Sequence, residues 1–506
     1  MNAMNFQFIH QLFDARVAEA PSQVFLSTPT ADFTLADLSA WVDRLVVELQ
    51  SDGVRAGDRV LIVAENCPEH VALILACSKV GAWSCGVNAR MSRGEVSLFV
   101  QKADPRVMYF TSEVSTAARA HAQEAAARGS VLTGLQRSAV RTHAVAEEGE
   151  LAQRVAAIIF TSGTTGTPKG VLVSHQGLLK FGRVSTESRQ LTQADRSYAY
   201  LPMTHIFGLG TVLMASLYAR AALVMRSAFD PADVFNALAE GGVTQLQGPP
   251  AMFTRLLAWL DTQGIEHPVC PDLRYVYTGA APLDLKLKRA VEHRFSKPLH
   301  HGYGLSEYAG ALCLGLLNVA RDDTSAGYLV DGAELRIVNE QGRDATTDER
   351  GEIWMRGVGL MPGYFRDVAA TSQVMRDGGW YASGDIGYLD ETGALFVVGR
   401  LKEMIIRSGF NVYPGEVESV LAQFPGVQRA AVVGRPVSDG NEEIMAFLEM
   451  QPNAVLDRAA LEAFVADHLA PYKRPSQTVV SDVFPMTLSG KVLKRELLAS
   501  FEAPPQ

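Results

Sequence analysis

Short apolar runs alternate with longer segments of helical periodicity through the first two thirds of the chain. Residues 58–64 form a short apolar run that predicts a buried strand, and residues 68–81 predict an apolar helix that ends at a glycine. The same alternation returns at residue 197 and continues to residue 295. Strands that alternate with helices predict an α/β sheet with helices on its faces, so the pattern predicts this architecture twice.

The pattern changes after residue 327. Short strands separated by Gly- and Asp-rich turns predict a small β-barrel-like subdomain. Beyond residue 400, a compact α+β pattern of about a hundred residues predicts one small separate domain. We therefore predict a large N-terminal domain and a small C-terminal one, with boundaries at 1–399 (subdivided into 1–190, 191–326 and 327–399), at 400–402 for a hinge, and at 403–506.

Composition excludes several classes of protein. Lys plus Arg is 46 and Asp plus Glu is 55, so the net charge of -9 gives no reason to expect nucleic-acid binding. The five cysteines have neither metal-site spacing nor a CxxC pair, which is typical of a reducing compartment. The most apolar long window, 209–225, is interrupted by Arg220 and is short for a membrane span. Since the first residues also lack a signal-peptide pattern, we expect a cytoplasmic protein.

The stretch IIFTSGTTGTPKGVLVSH, residues 158–175, is the strongest chemical signal in the chain. It predicts a strand, a ten-residue turn of Thr, Ser, Gly, Pro and Lys, and a second strand that ends at Ser174, the expected N-cap of a helix. Glycines let the backbone approach a ligand, and hydroxyls, N–H groups and a lysine can hold phosphate oxygens. The candidate phosphate ligands are Thr161, Ser162, Gly163, Thr164, Thr165, Gly166 and Lys169.

Two other interpretations of this stretch are disfavoured. A flexible linker rarely lies between two apolar strands. A Walker loop needs Gly-Lys-Ser/Thr at the start of a helix, whereas Thr167 and Pro168 separate Gly166 from Lys169, and a strand follows.

The segment TSGTTGTPKG resembles the signature of the adenylate-forming enzymes, which include acyl- and aryl-CoA synthetases, firefly luciferases and peptide-synthetase adenylation domains. The resemblance implies that this loop grips the ATP phosphates, with Thr164 near the metal. It also implies a mobile C-terminal domain. Matching motifs extend from Thr161 to Lys491, and the first third of the chain fits only in general pattern.

Three further motifs match the nucleotide site of this family. In HHGYGLSEY, Tyr303 beside Gly304 would stack on adenine, and Glu307 would hold Mg²⁺, which favours one or two carboxylates plus phosphates. In TGAAPL, Gly279 and Ala280 would border the adenine. In YASGD, Asp385 would bind the ribose hydroxyls.

The segment GRLKEMIIRSGFNVYPGEVE, which begins at residue 399, resembles the hinge motif of the family. Arg400 would contact the ribose or a phosphate, and Lys402 would be the hinge residue. Gly409 and Phe410 would border the tunnel for the pantetheine arm of coenzyme A. Lys491, in LSGKVLKREL, resembles the catalytic lysine of the family's C-terminal domain. A mobile ammonium at this position can bridge two anions as charge develops between them.

The resemblance also outlines an acyl pocket. His205 lies at the position of the aromatic-motif histidine, and no acid that could hold an amino-acid ammonium lies beside it. The predicted lining is mostly small or apolar and includes no arginine, so a buried second carboxylate would stay unpaired. A monocarboxylate with an aliphatic or aromatic tail fits better. The candidate pocket residues are Phe207, Gly208, Tyr277, His301 and Gly302.

Together these motifs predict a ligase that uses ATP, Mg²⁺ and coenzyme A to convert a small carboxylic acid first into an acyl-AMP and then into an acyl-CoA. A stand-alone adenylation protein that loads a carrier-protein phosphopantetheine is the alternative. A luciferase-like oxygenase and a non-catalytic nucleotide-binding relative fit less well. A homodimer is possible on sequence grounds.

Overall fold

The computed structural model of the chain describes residues 6–161, 168–317, 319–407, 410–437, 441–486 and 492–502. The first part of the chain contains seven helices and nine strands within these ranges. In chain order they are α1 (Ile9–Glu19), β1 (Val24–Ser27), β2 (Asp32–Thr34), α2 (Leu35–Ser51), β3 (Arg59–Ala64), α3 (Pro68–Val80), β4 (Trp83–Asn88), α4 (Arg93–Ala103), β5 (Val107–Phe110), α5 (Thr116–Glu124), β6 (Arg128–Gly129), β7 (Gln136–Arg137), α6 (Gly149–Arg154), β8 (Val155–Thr161), β9 (Lys169–Ser174) and α7 (His175–Arg189).

The first sheet has the strand order β6-β7-β5-β3-β4-β8-β9 among the described residues. Its centre is parallel, since β3 pairs in parallel with both β4 and β5, and β4 pairs in parallel with β8. All six residues of β3 are buried, as expected for a parallel strand with helices on both faces. The last two strands form an antiparallel hairpin that carries the phosphate-loop motif.

The second part of the chain builds another α/β layer. Its elements are β10 (Arg196–Ala199), a π-helix (Phe207–Met214), α8 (Ala215–Ala219), β11 (Ala222–Met225), α9 (Pro231–Ala239), β12 (Gln245–Gly248), α10 (Pro250–Thr262), β13 (Tyr275–Thr278), α11 (Leu285–Phe295), β14 (Leu299–Leu305), a 3-10 turn (Ser306–Tyr308), β15 (Gly310–Leu314) and β16 (Tyr328–Leu329). Over the described ranges, the strand order is β16-β15-β14-β13-β12-β10-β11-β1-β2.

The N-terminal strand pair therefore belongs to the second sheet. β1 pairs in parallel with β11 and antiparallel with β2. The local pattern of polarity along a strand carries no information about which sheet the strand joins. The subdomain boundary at residue 190 stays a prediction, with this hairpin crossing it.

The remaining elements form a β-rich subdomain and a small α+β domain. The first comprises β17 (Ala333–Val338), β18 (Gly351–Gly357), α12 (Val368–Val374), β19 (Met375–Arg376), β20 (Trp380–Leu389) and β21 (Leu395–Arg400). The second comprises β22 (Ile405–Arg407), β23 (Phe410–Val412), α13 (Pro414–Leu421), β24 (Val427–Pro436), β25 (Glu442–Met450), α14 (Arg458–His468), β26 (Gln477–Val480) and α15 (Lys494–Glu502).

The small domain has its own hydrophobic core, in which Val417, Leu421 and Leu448 are fully buried. Side chains on both sides of the predicted hinge contact each other, with Arg350 paired to Glu416 and Asn411 bonded to Glu340.

The predicted fold class, a large α/β N-terminal domain and a small C-terminal domain, is confirmed. None of the helices in the described ranges has both the length and the apolarity that a membrane span requires.

A buried carboxylate joins three parallel strands to the end of α7. Asp195 is 3% exposed and accepts hydrogen bonds from Arg274 Nε and Nη2, both at 2.7 Å. The same carboxylate accepts from the Thr244 hydroxyl at 2.7 Å. Arg274 also donates to the carbonyl oxygens of Arg189 and Gln190, which are the last carbonyls of the helix. This ion pair therefore fixes the C-terminus of α7 against the second sheet.

The protonation state of Asp195 follows from these contacts. Burial raises the pKa of this carboxyl, but the hydrogen bonds from Arg274, the Thr192 N–H and Thr244 outweigh burial and lower it below its ordinary value. A lowered folded-state pKa stabilises the fold above the unfolded pKa of about 4, and this stabilisation is lost as pH falls through the folded pKa.

We predict that Asp195→Asn destabilises the protein by about 2–3 kcal/mol at neutral pH, because Arg274 is left partly buried without its anion. Thermal unfolding of both proteins between neutral and acidic pH measures the effect. The difference in melting temperature should begin to shrink as pH falls below about 4, and should disappear only below the lowered folded-state pKa, where the folded wild-type carboxyl is protonated too.

The matched control is Asp261→Asn, which breaks an ion pair with Arg294 whose aspartate is 64% exposed. Exposed pairs contribute about 0–1 kcal/mol, so this variant should melt close to the wild type at every pH. Equal destabilisation by both variants would contradict the role given to Asp195.

Candidate active site

The phosphate-loop motif lies on the hairpin of β8 and β9. Thr161 and Lys169 are cross-strand partners, and Phe160 pairs with Gly170. The second strand ends at Ser174, whose hydroxyl accepts from the Gly177 N–H at 3.0 Å, so the predicted N-cap is observed. The remaining loop residues of the motif, Ser162, Gly163, Thr164, Thr165 and Gly166, lie outside the described residues.

Lys169 and Glu307 are brought together by a tyrosine. Lys169 Nζ lies 4.7 Å from the centre of the Tyr364 ring, and the Tyr364 hydroxyl donates to Glu307 Oε1 at 3.0 Å. Burial raises the pKa of Glu307 above its ordinary value, and the Asp385 carboxylate adds in the same direction, whereas Tyr364 and Lys169 oppose it. We call these three residues the Glu307 cluster.

A second group joins two sheets. The Tyr303 hydroxyl, on β14, donates to Asp385 Oδ2 at 2.6 Å, and Arg400 Nε donates to Asp385 Oδ1 at 3.1 Å. Asp385 and Arg400 are cross-strand partners on β20 and β21. Burial and the adjacent carboxylate raise the pKa of Tyr303, so its hydroxyl stays a donor. We call these residues the Asp385 cluster.

The two clusters lie beside each other, since the Tyr364 hydroxyl is 3.5 Å from the hydroxyl of Tyr381, which lies on β20 together with Asp385. The nearby turn residues are tightly fitted. A Cβ on Gly304 would lie 2.3 Å from the Gly310 carbonyl oxygen, and Ala280 adopts φ +66, which costs strain in a residue other than glycine. The structure thus collects the described nucleotide-site candidates at one place, at the carboxyl ends of β13 and β14.

The predicted acyl pocket begins at the π-helix. The rings of Phe207 and Tyr277 meet edge to face with centres 5.9 Å apart. The Tyr277 hydroxyl lies against two glycines, since a Cβ would come within 3.1 Å of it at Gly279 and 2.4 Å at Gly302. There is no room for a side chain at Gly208, because a Cβ there would lie 2.2 Å from the Pro202 carbonyl oxygen.

The two histidine candidates each contact the backbone. Nδ1 of His301, a predicted acyl-pocket residue, lies 3.2 Å from the Thr324 carbonyl oxygen. Successive residues of a strand point to opposite faces, and it is His300 that stacks on Tyr275 with ring centres 4.8 Å apart. His205 uses Nδ1 to accept the Phe207 N–H at 3.1 Å, which ties its ring to the start of the π-helix.

The apolar helix predicted to begin at residue 207 is a π-helix over Phe207–Met214 that continues as α8. Wider helical turns of this type recur at functional sites. Gly210 sits in this segment where a Cβ would lie 2.6 Å from the Phe181 ring, so α7 packs closely against it. Hydrophobic periodicity alone does not distinguish this winding from an α-helix.

The hinge candidates are only partly described. Lys402 is exposed within the 3-10 turn Leu401–Glu403, between β21 and β22. Gly409, the side chain of Phe410 and Lys491 lie outside the described residues. Lys494, three residues after Lys491, bonds to Glu418 at 2.7 Å and Glu403 at 3.4 Å, so the helix that follows the catalytic candidate is anchored beside the hinge.

Two family models match this chain, one for each of its two parts. The AMP-binding enzyme model matches residues 13–365, and the AMP-binding enzyme C-terminal domain model matches residues 416–491. The chain belongs to the AMP-binding enzyme family.

Members of the family similar to this chain are named as CoA ligases. The chain is 31% identical to the indoleacetate–CoA ligase of Aromatoleum aromaticum, over 97% of this chain and 98% of the relative. It is 32% identical to a feruloyl-CoA synthase of an Amycolatopsis species, over 92% of this chain and 94% of the relative. The prediction of an ATP-dependent acid–CoA ligase is therefore confirmed.

Solved structures of the family agree with the fold. ATP-bound MatB from Rhodopseudomonas palustris is 27% identical with a TM-score of 0.87, over 99% of both chains. The o-succinylbenzoate CoA synthetase of Bacillus subtilis, in complex with ATP and magnesium, is 26% identical with a TM-score of 0.82, over 96% of this chain and 99% of that chain. The predicted use of ATP, Mg²⁺ and coenzyme A is confirmed at the level of the family.

Tyr364 is the site residue that the sequence analysis missed. It is 6% exposed and follows Gly363, whose φ is +153, in the run Pro-Gly-Tyr-Phe. The same kind of signal, an aromatic residue beside glycine, drew attention to Tyr303. What the sequence does not show is that Tyr364 lies beside Glu307, because 57 residues separate the two.

We predict that Tyr364→Phe lowers kcat/KM for ATP by about tenfold to a hundredfold, because Glu307 loses a donor to its charged oxygen. The Mg²⁺ concentration needed for half-maximal rate should rise in the same variant. Steady-state kinetics at saturating acid and coenzyme A, with Mg²⁺ varied, measures both effects.

Tyr109→Phe is the matched control, because Tyr109 is a buried tyrosine that donates to a carboxylate, Glu48, at 2.9 Å in the first sheet. It should lower the melting temperature and leave the Mg²⁺ dependence unchanged. The same kinetic loss in both variants would show that the effect of Tyr364→Phe arises from general destabilisation.

Proposed function

We propose that this enzyme activates an aromatic monocarboxylic acid as its acyl-adenylate and then transfers the acyl group to coenzyme A. The observation that carries the substrate class is the edge-to-face pair of Phe207 and Tyr277, which gives the acyl pocket an aromatic wall beside the Asp385 cluster. Flat rings pack favourably against such walls. The acids named for the two relatives, indoleacetate and ferulate, are also aromatic.

The Asp385 cluster suits a ribose and an adenine. A carboxylate offers about four lone-pair sites, so Asp385 can accept from a ribose hydroxyl while it keeps Tyr303 and Arg400 as donors. These two donors hold the carboxylate in one orientation before ATP arrives. We propose that the face of Tyr303 contacts the adenine and that Gly304, without a side chain, leaves room for it.

The Glu307 cluster suits a metal-bound triphosphate. Glu307 supplies one carboxylate, and Mg²⁺ commonly binds one or two carboxylates plus phosphate oxygens, so the residues fit the metal. Glu307, with Thr164 from the loop, would hold the Mg²⁺, which would supply neutralising charge for the phosphates. Lys169 lies close enough to share the same phosphates. Its ammonium lies over the ring of Tyr364, whose hydroxyl bonds to Glu307.

The reaction follows from these positions. An oxygen of the substrate carboxylate attacks the α-phosphorus of ATP, the bond between the α- and β-phosphates breaks, and pyrophosphate leaves. Lys491 would bridge the two anions during this step. The sulfur of coenzyme A then attacks the acyl carbon, AMP leaves with the bonding electrons, and the thiol proton passes to solvent. We propose that the small domain rotates at Lys402 between the two steps, within the predicted boundaries 400–402 and 403–506.

Location and assembly are also proposals. The cysteines are free, and Cys67, Cys77, Cys85 and Cys313 are buried as small apolar side chains. Unlinked cysteines support the proposed cytoplasmic location. A homodimer remains a proposal that light scattering of the purified protein can test directly.

An acid panel tests the proposed function. AMP release with ATP, Mg²⁺ and coenzyme A is measured for straight-chain acids of increasing length, cyclohexyl acids and aromatic acids. We expect the highest kcat/KM with an aromatic acid. A higher value for straight-chain acids would contradict the substrate class.

Two variants and one product measurement complete the test. Lys491→Ala should reduce acyl-adenylate formation by about a hundredfold or more, as expected for loss of a charge that acts in the transition state. Lys286→Ala, which removes an exposed lysine from α11, should leave the rate unchanged. Pyrophosphate release that gives no acyl-CoA when coenzyme A is present would instead favour the carrier-protein acceptor.

A further inference from the structure

A buried arginine lies behind Tyr277, one of the predicted acyl-pocket residues. Arg189 is the last residue of α7 and is 0% exposed. Its Nη1 donates to the Thr211 carbonyl at 3.1 Å and to Gln247 Oε1 at 2.8 Å. Within the described ranges, no carboxylate forms an ion pair with this guanidinium. A buried cation of this kind is costly unless something compensates its charge.

Aromatic rings provide part of that compensation. The Arg189 guanidinium lies 5.6 Å from the centre of the Tyr275 ring and 5.2 Å from that of Tyr277. Cation–π contacts compensate a buried charge less than a paired anion does in a dry site. Burial lowers the pKa of the neighbouring His300 to about 4, so this imidazole is neutral at physiological pH.

Several buried polar atoms close to the Arg189 side chain have no hydrogen-bond partner among the described residues. Arg189 Nε and Nη2 have no acceptor among the described residues, and Gln247 Nε2 is likewise unsatisfied there. On the adjacent turn of α7, the Ser185 hydroxyl is buried without a partner in the described part of the chain. Native proteins leave few such atoms unsatisfied, and clusters of them commonly mark a place where a ligand or water binds.

The arginine is connected to the reacting end of the pocket through one side chain. Tyr277 has its ring against Arg189 and against Phe207, while its hydroxyl lies beside Gly302, next to Tyr303 of the Asp385 cluster. A substrate tail that enters past Phe207 along this ring would therefore approach Arg189 at its far end. The bonds from Arg274 to the carbonyls of Arg189 and Gln190 hold the backbone of this residue in place.

We propose that Arg189 is a specificity-determining residue: the acid carries a hydrogen-bond-accepting oxygen at the end remote from the activated carboxylate, and Arg189 with Gln247 binds that oxygen. The proposal rests on the proposed function of an aromatic acid ligase. For the proposed monocarboxylic acid this oxygen is neutral, as in a phenol. An anionic oxygen, as in a second carboxylate, is the outcome that would keep the role of Arg189 and replace the monocarboxylic substrate class. Among the pocket residues predicted from the sequence there was no arginine, and Arg189 now supplies one.

The test compares matched acids. Cinnamic acid and phenylacetic acid are each used in three forms: unsubstituted, para-hydroxy and para-carboxy. The wild-type enzyme should have a kcat/KM for at least one oxygenated form about tenfold or more above that of its unsubstituted parent, as expected for a charged donor left unpaired by the parent. A preference for the hydroxy form identifies a neutral oxygen, and a preference for the carboxy form identifies an anion.

Arg189→Met tests the residue itself. Methionine fills similar volume without charge or donors, so the preference for the oxygenated acid should fall at least tenfold, while kcat/KM for the unsubstituted acid and KM for ATP change little. Arg59→Met is the matched control, because Arg59, on β3 of the first sheet, is equally buried, donates to the Ala103 carbonyl at 2.8 Å and lies over the Phe365 ring. This control should leave the preference unchanged.

The outcomes separate the two proposals. Activation of the aromatic acids without any preference for the oxygenated forms overturns the role of Arg189 and leaves the proposed function intact. Failure to activate any aromatic acid overturns both. An equal loss of kcat/KM on all acids in Arg189→Met, with a folded protein, would show a structural role only.

Should Arg189→Met not fold, Arg189→Lys keeps the charge but loses the planar fork, and an unchanged preference in that variant overturns the proposal.

Discussion

Two tyrosine hydroxyls hold the two acidic side chains of the site, and the arrangement of the whole site depends on these bonds. Tyr303 on β14 donates to Asp385 on β20, and Tyr364 donates to Glu307 at the end of β14. Each bond joins the second sheet to the β-rich subdomain. Charge-assisted hydrogen bonds are short and directional, so they orient each carboxylate before a ligand binds. Because the two carboxylates are already oriented, nucleotide binding has less side-chain conformational entropy to offset.

The same subdomain contacts explain why the site lies where three layers meet. Lys169 comes from the first sheet, Glu307 from the second and Tyr364 from the β-rich subdomain, with the lysine 4.7 Å from the tyrosine ring. Within the described ranges, no single sheet supplies all of the residues proposed to bind phosphate, metal and ribose. A chain of this architecture must therefore pack its subdomains correctly before its nucleotide site exists, which couples the stability of these interfaces to activity.

Local patterns predicted much of the fold, and motif resemblance predicted the family. The hairpin of β8 and β9 and the Ser174 cap follow from one short stretch of sequence. Contacts between distant residues did not follow. The Tyr364–Glu307 bond, the membership of β1 in the second sheet and the burial of Arg189 depend on packing between segments that no periodicity relates. His300 and His301 point to opposite faces of β14, because successive side chains of a strand alternate, and the role predicted for His301 stays a prediction.

The polar end of the acyl pocket shows how a locally unfavourable arrangement can be sustained. Arg189 and the Gln247 amide are buried with unsatisfied atoms in the described structure, which favours neither folding nor tight packing. The ion pair of Asp195 with Arg274 nevertheless holds the backbone that carries Arg189, and two tyrosine rings cover the guanidinium. Stabilising contacts thus surround the group whose own burial is costly. Conflicts of this kind between local energetics and the fold are expected where function, rather than stability, determines the residue.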